Sequence, residues 1–576
     1  DPAGPVSAPV HPMVLRPIMF RSPSPSPAPV PRVGRALLAL ALGATVLTGG
    51  CFKRRYAPRE VAKVLNVEKA SLGPAIAARI ANAQRPEWVT PERWRRVSAL
   101  YASYDNSPLW LEEGGVKSRT TALLDAIRHA PEDALDTSGY PVDALERVVN
   151  TSRITDTASA QTIADADVLL TSAYVAYASD MLIGQVTPSK VSQNWHTGSG
   201  VAERDSAVTH ALEEPDMAQA LAQMAPQDPD YAALKAAYAR YKQVAAAGGW
   251  PTVTATMNDA DALAAVHARH VSEMMDSTSD HSDAAAATDT TPIGDEPKVH
   301  HRRTPLAAEV LRFQEHHGLE PTGRLNKETL DALNISADAR VLQIAANLER
   351  HRWLPRTLGS RYVYVNVPAF RLDAYDSGQK RLTMKVVVGS EFQGRATPTF
   401  SDSMEVAVFR PYWNITPEIQ AKEIGPKAAA NPGWLESQDM EYYRDGGVER
   451  IRQRPGDKNA LGLVKFLFPN DFNIYLHDTP AKALFAKTDR AASHGCIRLE
   501  KPAELAQWVL GWDADKVQQA MHDGPDNHTV RLPRKIPVYI VYFTAYMRDG
   551  ELYFGDDLYG RDQSLEQQLG KTVQAA

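Results

Sequence analysis

The periodicity of apolar residues changes once along this chain, near residue 360, and the change limits the folds open to it. Before that point, apolar residues recur at helical spacing, as in Leu123-Leu124-x-x-Ile127. After it, aromatic and β-branched runs such as residues 362–367 and 538–543 are separated by turn residues. The pattern predicts a multidomain α+β protein with a helical part first and a mainly β domain last.

Composition indicates an ordinary globular protein. The 576 residues suffice for two to four domains with proper cores, and 44% hydrophobic with 23% charged residues is a typical balance. The formal net charge of -6 gives no general attraction to nucleic acid or to anionic lipid. We therefore predict no nucleic-acid partner.

The chain has two cysteines, Cys51 and Cys496, and they lie in different contexts. Cys51 ends an apolar targeting segment, so Cys496 is expected to have no disulfide partner and to serve as a buried thiol, a metal ligand or a nucleophile. Its neighbours favour the nucleophile, because a thiol attacks as thiolate and histidines are close in sequence. These are His494, two residues earlier, and His477, with fifteen residues between it and Ser493.

The segment before His477 alternates and is rich in aromatic and branched residues, which predicts a strand over residues 472–476 that delivers His477 at its end. A loop then returns Cys496 beside it. In this arrangement an imidazole takes the thiol proton to give an ion pair, and Gly495 lets the backbone approach a substrate carbonyl closely. Backbone amides near Cys496 would form an oxyanion hole.

This pattern of a histidine, a spacer, Ser-His-Gly-Cys and an arginine two residues on resembles the signature of the YkuD-type L,D-transpeptidase family. The resemblance implies that Cys496 is the nucleophile and His477 the proton donor and acceptor. It implies no cofactor, and it predicts inhibition by carbapenems. The remaining implied site residues are His494, Ser493, Gly495 and Tyr475 in supporting or oxyanion roles, with Arg498, Tyr412 and Trp413 in substrate binding.

Two other interpretations of the motif remain open from the residues alone. Cysteine is among the most buried residue types, so Cys496 could be an inert core thiol. A zinc site formed by His477, His494 and Cys496 is the second, but it lacks a fourth ligand and any Cys-x-x-Cys pair. We predict no metal at this motif.

The regions before residue 360 carry architecture rather than chemistry. Pro108-Leu109-Trp110 resembles the helical scaffold domain of large, YcbB-like family members, and Phe313-Gln314 resembles the small three-helix peptidoglycan-binding domain. That domain could bind the wall or serve structure alone. Between them, residues 276–303 read as a solvated linker whose histidine pair, at positions 300 and 301, is weak evidence for a metal.

The first fifty residues are predicted to be an export segment. Residues 36–47 are uncharged and mostly apolar, too short for a membrane span and suited to a signal-peptide core. The small residues before Cys51 resemble a bacterial lipobox, so lipidation of Cys51, simple cleavage and an uncleaved anchor are the alternatives. All three place the catalytic domain in the periplasm, with membrane contact through the N-terminal segment only.

Residues 417–463 interrupt the β pattern and are expected to cap the active site, as the matching insertion does in YcbB-like relatives. The insertion is rich in basic residues, which could orient the carboxylates of peptidoglycan stems or form a solvated face. The basic residues are Arg444, Arg450, Arg452, Arg454 and Lys458.

Together these features predict an L,D-transpeptidase that joins peptidoglycan stem peptides by 3→3 cross-links through a thioester on Cys496. Water or a free D-amino acid as acceptor would give a carboxypeptidase or an exchange enzyme, and a noncatalytic wall-binding scaffold is the alternative of another class. Other cell-wall synthesis enzymes are candidate partners. The predicted domains are 1–50 export, 51–87 linker, 88–275 scaffold, 276–304 linker, 305–337 peptidoglycan-binding, 338–359 connecting helix, 360–556 catalytic and 557–576 tail.

Overall fold

A computed structural model describes residues 69–82, 85–112, 115–116, 118–150, 159–196, 201–274, 304–391, 395–431 and 433–570. The predicted export segment, Cys51 and the linker at 276–303 lie outside these residues. Within the described ranges, no helix is both long enough and apolar enough to cross a membrane.

The first part of the chain is helical, as its periodicity predicts. Several helices begin with a capping side chain followed by proline, such as Thr90, which accepts a hydrogen bond from Arg93 N at 3.3 Å. A two-stranded ribbon pairs Leu111–Glu112 (β1) with Gly115–Val116 (β2). The helices are Lys69–Ala81 (α1), Pro91–Ser103 (α2), Ser118–His129 (α3), Val142–Asn150 (α4), Ala160–Ile183 (α5), Pro188–Val191 (α6), Val201–Ala211 (α7), Met217–Ala222 (α8), Pro229–Ala246 (α9) and Asp259–Glu273 (α10).

Two short helices follow the predicted linker. They are Pro305–His316 (α11) and Lys327–Leu333 (α12), with Asn326 as the N-cap of α12. Their apolar side chains, including Val310, Phe313 and Leu333, pack with Val266 of α10 in one small core. A unit this small is thus stabilised by its helical neighbour, as expected.

The helix Ala337–Trp353 (α13) connects the helical part to the β domain. Glu349, which is fully buried, accepts a hydrogen bond from Val186 N at 2.7 Å and one from Arg352 Nη1 at 2.8 Å. On the other side, Asn347 exchanges two hydrogen bonds with Thr544, at 2.9 and 3.0 Å. Polar groups buried in one helix therefore fix the catalytic domain against the scaffold helices.

The β domain is a sheet that closes on itself. Its strand order is β12-β5-β13-β11-β10-β6-β14-β3-β4, and β4 also pairs with β5, so eight strands form a ring with β12 attached to β5. Alternate side chains fill the interior. The strands are Arg361–Asn366 (β3), Arg371–Asp376 (β4), Gln379–Gly389 (β5), Phe400–Phe409 (β6), Val464–Leu467 (β10), Leu476–His477 (β11), Ala491–Ser493 (β12), Ile497–Leu499 (β13) and His528–Val541 (β14).

The predicted cap is a separate layer with its own small core. Short helices at Pro417–Ile419 (α14), Gly425–Ala430 (α15) and Trp434–Ser437 (α16), with a π-helical turn at Gln420–Ile424, precede a hairpin. The hairpin pairs with Trp413–Asn414 (β7) in a three-stranded sheet. Its strands are Met440–Asp445 (β8) and Val448–Gln453 (β9).

The remaining elements cover the ends of the β domain. Two helices follow the motif strand, and a hairpin and a final helix end the described chain. They are Pro502–Leu510 (α17), Ala514–His522 (α18), Ala545–Arg548 (β15), Glu551–Phe554 (β16) and Arg561–Gly570 (α19).

The predicted strand over residues 472–476 is wrong in its extent. Only Leu476 and His477 are in β11. Asn473 has φ of 55°, in the left-handed region, and the side chain of Asn470 accepts hydrogen bonds from Phe472 N and Ile474 N. This asparagine-capped turn competes with the strand that the aromatic pattern favours.

Replacing Glu349 by alanine should reduce the free energy of unfolding by about 3–5 kcal/mol, because Arg352 would stay buried without its salt-bridge partner. Urea unfolding followed by tryptophan fluorescence measures the change. Glu92→Ala is the matched control, since Glu92 pairs with Arg96 at the surface and should cost no more than about 0.5 kcal/mol. Equal losses in the two variants would contradict the role given to Glu349.

Candidate active site

One face of the sheet, across β10, β11 and β13, carries the polar residues of the site. The register sets Lys465 opposite His477 and His477 beside Arg498, while Leu476 and Ile497 point into the core. Because side chains alternate along a strand, Cys496, two residues before Arg498, is on the same face as Arg498.

The thiol of Cys496 lies beside Tyr475, on the neighbouring strand end. Ile497 N donates to Tyr475 O at 3.2 Å, which continues the strand pairing, and Cys496 Sγ is 3.6 Å from Asn473 O. Burial raises the pKa of Cys496 above its ordinary value, while the Tyr475 backbone N–H and hydroxyl, and then the charges of Arg498 and Lys465, lower it. Burial is the larger effect, so the resting residue is a neutral thiol that nearby donors can stabilise when it ionises.

His477 is buried and neutral. Its pKa is lowered to about 3, first by burial and then by the charge of Arg498, although the backbone carbonyls of Asp478 and Leu461 oppose the shift. Nδ1 is 2.5 Å from Asp478 O, and a carbonyl can only accept, so Nδ1 carries the proton. The neutral ring then keeps a lone pair on Nε2, as a general base requires.

Cys496 and His477 are diagonal neighbours on this face, and no hydrogen bond joins them in this structure. The predicted resting ion pair is not favoured, because the directions of both pKa shifts favour a neutral thiol beside a neutral imidazole. The catalytic hydrogen bond would form as substrate enters, which is common for sites described without ligand.

The Ser-His-Gly-Cys loop is held by backbone contacts. Ser493 Oγ donates to Cys496 O at 2.6 Å and accepts from Gly495 N at 3.1 Å, and Thr397 Oγ1 donates to Gly495 O at 2.8 Å. Gly495 has φ of 114°, and a Cβ there would lie 3.2 Å from Ile474 Cδ1. Ser493 and Gly495 are therefore required by the shape of this turn, whatever the substrate.

The side chain of His494 points to the cap and makes no hydrogen bond to Cys496. Its Nε2 is 2.7 Å from Glu423 Oε1, and Arg395 Nη2 donates to the same oxygen at 2.5 Å. Glu423 belongs to the π-helical turn of the cap, a type of irregularity often found at functional sites. His494 thus joins the motif loop to the cap.

The zinc site that the residues alone left open at the motif would need its three side chains to converge. His477, His494 and Cys496 are not among the described side chains whose ligand atoms converge on one point. His494 is instead engaged by Glu423.

Tyr412 and Trp413 serve the packing of the cap. The guanidinium of Arg452 lies 4.0 Å from the centre of the Tyr412 ring, and Trp413 packs against the apolar core of the cap around Ile451. Their predicted substrate contacts stay predictions.

Part of the basic charge in the cap is already neutralised. Glu441 pairs with Arg452 at 2.7 Å and with Arg454 at 2.8 Å, and Lys458 is 3.5 Å from Asp439. The cap is therefore less cationic than its sequence suggests, which supports the solvated face for these three residues.

Two residues of the site escaped the sequence analysis. Lys465 lies on β10, whose four residues give too short a pattern to predict a strand, and only the register brings it opposite His477. Nothing in the sequence distinguishes Glu423 from the other glutamates of the cap, and only the fold brings it into contact with His494. The one sequence signal for Lys465 was its position between the apolar residues Val464 and Phe466, an alternation typical of a strand.

Comparison with known families agrees with this arrangement. Residues 95–237 match the model described as "Scaffold domain", residues 360–540 match "L,D-transpeptidase catalytic domain" and residues 303–333 match "Putative peptidoglycan binding domain". The chain is thus a multidomain α+β protein whose residues 360–540 match the L,D-transpeptidase catalytic domain, which confirms the predicted resemblance and fold class.

Individual relatives cover parts of the chain. A protein of Haemophilus influenzae named "Putative L,D-transpeptidase" is 30% identical over 268 residues, or 42% of this chain, and the match spans about half (53%) of that relative's length. The L,D-transpeptidase of Xylanimonas cellulosilytica is 16% identical over 40% of this chain and 78% of its own, with a TM-score of 0.17. The Ldtfm-avibactam carbamoyl enzyme is 11% identical over 33% and 51%, with a TM-score of 0.15.

The alkylation rate of Cys496 by iodoacetamide should rise with pH, with a midpoint above about 8.5, the usual thiol value, because burial raises this pKa. Lys465→Met should move the midpoint further up, since the lost charge favoured the thiolate. Peptide-resolved mass spectrometry separates Cys496 from Cys51. An alkylation midpoint below the usual thiol value would contradict this electrostatic account. So would a midpoint that moves down in Lys465→Met but not in the cap control Lys458→Met.

Proposed function

We propose that this protein is a cysteine-dependent L,D-transpeptidase that forms 3→3 cross-links between peptidoglycan stems. The observation that carries the proposal is the single face on which the Cys496 thiol lies beside the donors of Tyr475, with neutral His477 and two cations next to it. The matching catalytic-domain family supports it. A peptidoglycan substrate also requires export, consistent with the predicted N-terminal segment.

In the acylation step, Cys496 Sγ attacks the carbonyl carbon of the third residue of a tetrapeptide stem. A C–S bond forms, the amide C–N bond breaks, and the thiol proton passes through His477 Nε2 to the departing D-alanine amine. The product is a thioester on Cys496. The N–H and O–H groups of Tyr475 would stabilise negative charge at this point, first on sulfur and then on the former carbonyl oxygen.

In the second step, a side-chain amine of another stem attacks the thioester. The new amide C–N bond forms, the C–S bond breaks, and the amine proton returns through His477 to the sulfur. Exclusion of water would favour the amine, and the cap that Glu423 joins to the motif loop is suited to this task.

Lys465 and Arg498 provide the charge that a stem peptide would meet. No described carboxylate pairs with either side chain, and Arg498 Nε is buried without a hydrogen-bond partner. Burial lowers the pKa of both groups, and the Cys496 thiol opposes this shift. Half-buried cations without counter-ions are costly, so a carboxylate of the donor stem is the ligand that this face favours.

Purified disaccharide tetrapeptide incubated with the protein should give 3→3 dimers and free D-alanine, detected by mass spectrometry. Cys496→Ala should abolish both, a loss of at least about 1,000-fold for removal of a covalent nucleophile. Free D-alanine without dimers would indicate a carboxypeptidase. Binding to sacculi with neither product would favour a noncatalytic scaffold and overturn the proposal.

Carbapenem treatment provides the control for the nucleophile. Intact mass should show one adduct on the unmodified chain and on Cys51→Ala, and none on Cys496→Ala. An adduct that persists on Cys496→Ala would remove Cys496 from the mechanism.

The cationic pair gives a separate prediction. Lys465→Met should raise KM for the tetrapeptide donor by about tenfold, a loss of about 1.4 kcal/mol of binding, because a charge-assisted contact is removed. Amidation of the donor's terminal carboxylate should weaken donor binding to the unmodified protein. Lys465→Met should then have little further effect on KM for the amidated donor. Lys458→Met in the cap is the matched control. An equal rise in KM for the two lysine variants would contradict carboxylate recognition by Lys465.

A further inference from the structure

A cluster of metal-ligand side chains lies far along the sequence from the catalytic motif, where α10 meets α11. His267 and His270 are three residues apart on α10, so they share one side of that helix. Glu309 faces them from α11. None of these residues takes part in the chemistry proposed for Cys496.

The ligand atoms converge. His270 Nδ1 is 2.7 Å from Glu309 Oε2, and His267 Nδ1 is 3.5 Å from Glu309 Oε1. One ligand atom from each of the three residues lies within 4.8 Å of the other two. Ligands about 2.0–2.2 Å from a tetrahedral ion are separated by roughly 3.3–3.6 Å, so small side-chain rotations would complete the geometry.

The environment supports a bound cation. The two helices are fixed against each other by an apolar core that includes Val266 and Val310, so the ligands sit on rigid elements. A surface cavity of about 490 Å³ is lined by His267 and Glu309 among other residues, and it leaves room for a water molecule as a fourth ligand.

A plain ion pair would use only part of this arrangement. His270 with one oxygen of Glu309 satisfies an ion pair, yet the second oxygen is turned to His267, whose side chain is 58% exposed and not held there by burial. Two imidazoles and one carboxylate form a ligand set that suits Zn(II).

We propose that His267, His270 and Glu309 bind one divalent transition-metal ion, of the Zn(II) class, that clamps the scaffold helix α10 to the peptidoglycan-binding-like helix α11. The ion would replace the proton shared by His270 and Glu309 and take water as its fourth ligand. Residues 274–304 separate the two helices in sequence, so the clamp would join them directly.

Titration of the chelator-treated full chain with ZnCl₂ in a calorimeter tests the proposal, and Co(II) substitution reports the geometry through its visible absorption. We expect one ion per chain, a four-coordinate Co(II) spectrum, and a higher melting temperature with Zn(II). His267→Ala and Glu309→Gln should each weaken binding by more than about tenfold, since even outer-shell changes cost that much.

Three controls make the outcome decisive. His267→Ala should melt like the unmodified chain without metal, because the side chain is exposed, and should lose the Zn(II)-induced rise. His210→Ala, which removes an exposed histidine near Glu213 and Glu214, should bind normally. The double variant His300→Ala with His301→Ala should also bind normally. Absence of binding, binding unchanged in His267→Ala, or loss confined to the 300/301 variant would overturn the proposal.

Discussion

The register of β11 between β10 and β13 is the constraint on which the site depends. It places Lys465, His477 and Arg498 in one row and sends Leu476 and Ile497 into the core. A slip of one residue would exchange the two faces and bury the charged side chains in the barrel, at a cost that the apolar core makes prohibitive. The same burial that stabilises the domain therefore fixes the position of Cys496.

That position explains the electrostatic state of the site. Burial favours the neutral forms of Cys496 and His477, while Arg498 and Lys465 favour the thiolate and disfavour a protonated imidazole. The thiol is thus neutral at rest and surrounded by groups that would stabilise negative charge on sulfur. A neutral thiol reacts slowly with adventitious electrophiles, because the thiolate is the nucleophilic form.

Sequence and structure contributed different parts of this account. The motif around Cys496 and His477, the family and the α+β class were predictable, because local patterns and residue spacing carry them. The turn at Asn473 was not, since its asparagine geometry overrides an aromatic alternation that favours a strand. The roles of Lys465 and Glu423 were also not predictable from the sequence. They come from strand register and from docking of the cap, which join residues distant in the chain.

The central claim, that Cys496 carries the acyl group between two stems, is tested most directly by rapid quenching of a single turnover with disaccharide tetrapeptide, followed by intact mass and peptide mapping. The account predicts a transient increase equal to the donor minus D-alanine, located on the peptide that contains Cys496, which decays as 3→3 dimer appears. Dimer formation with no adduct on Cys496, or with the adduct on another residue, would contradict it.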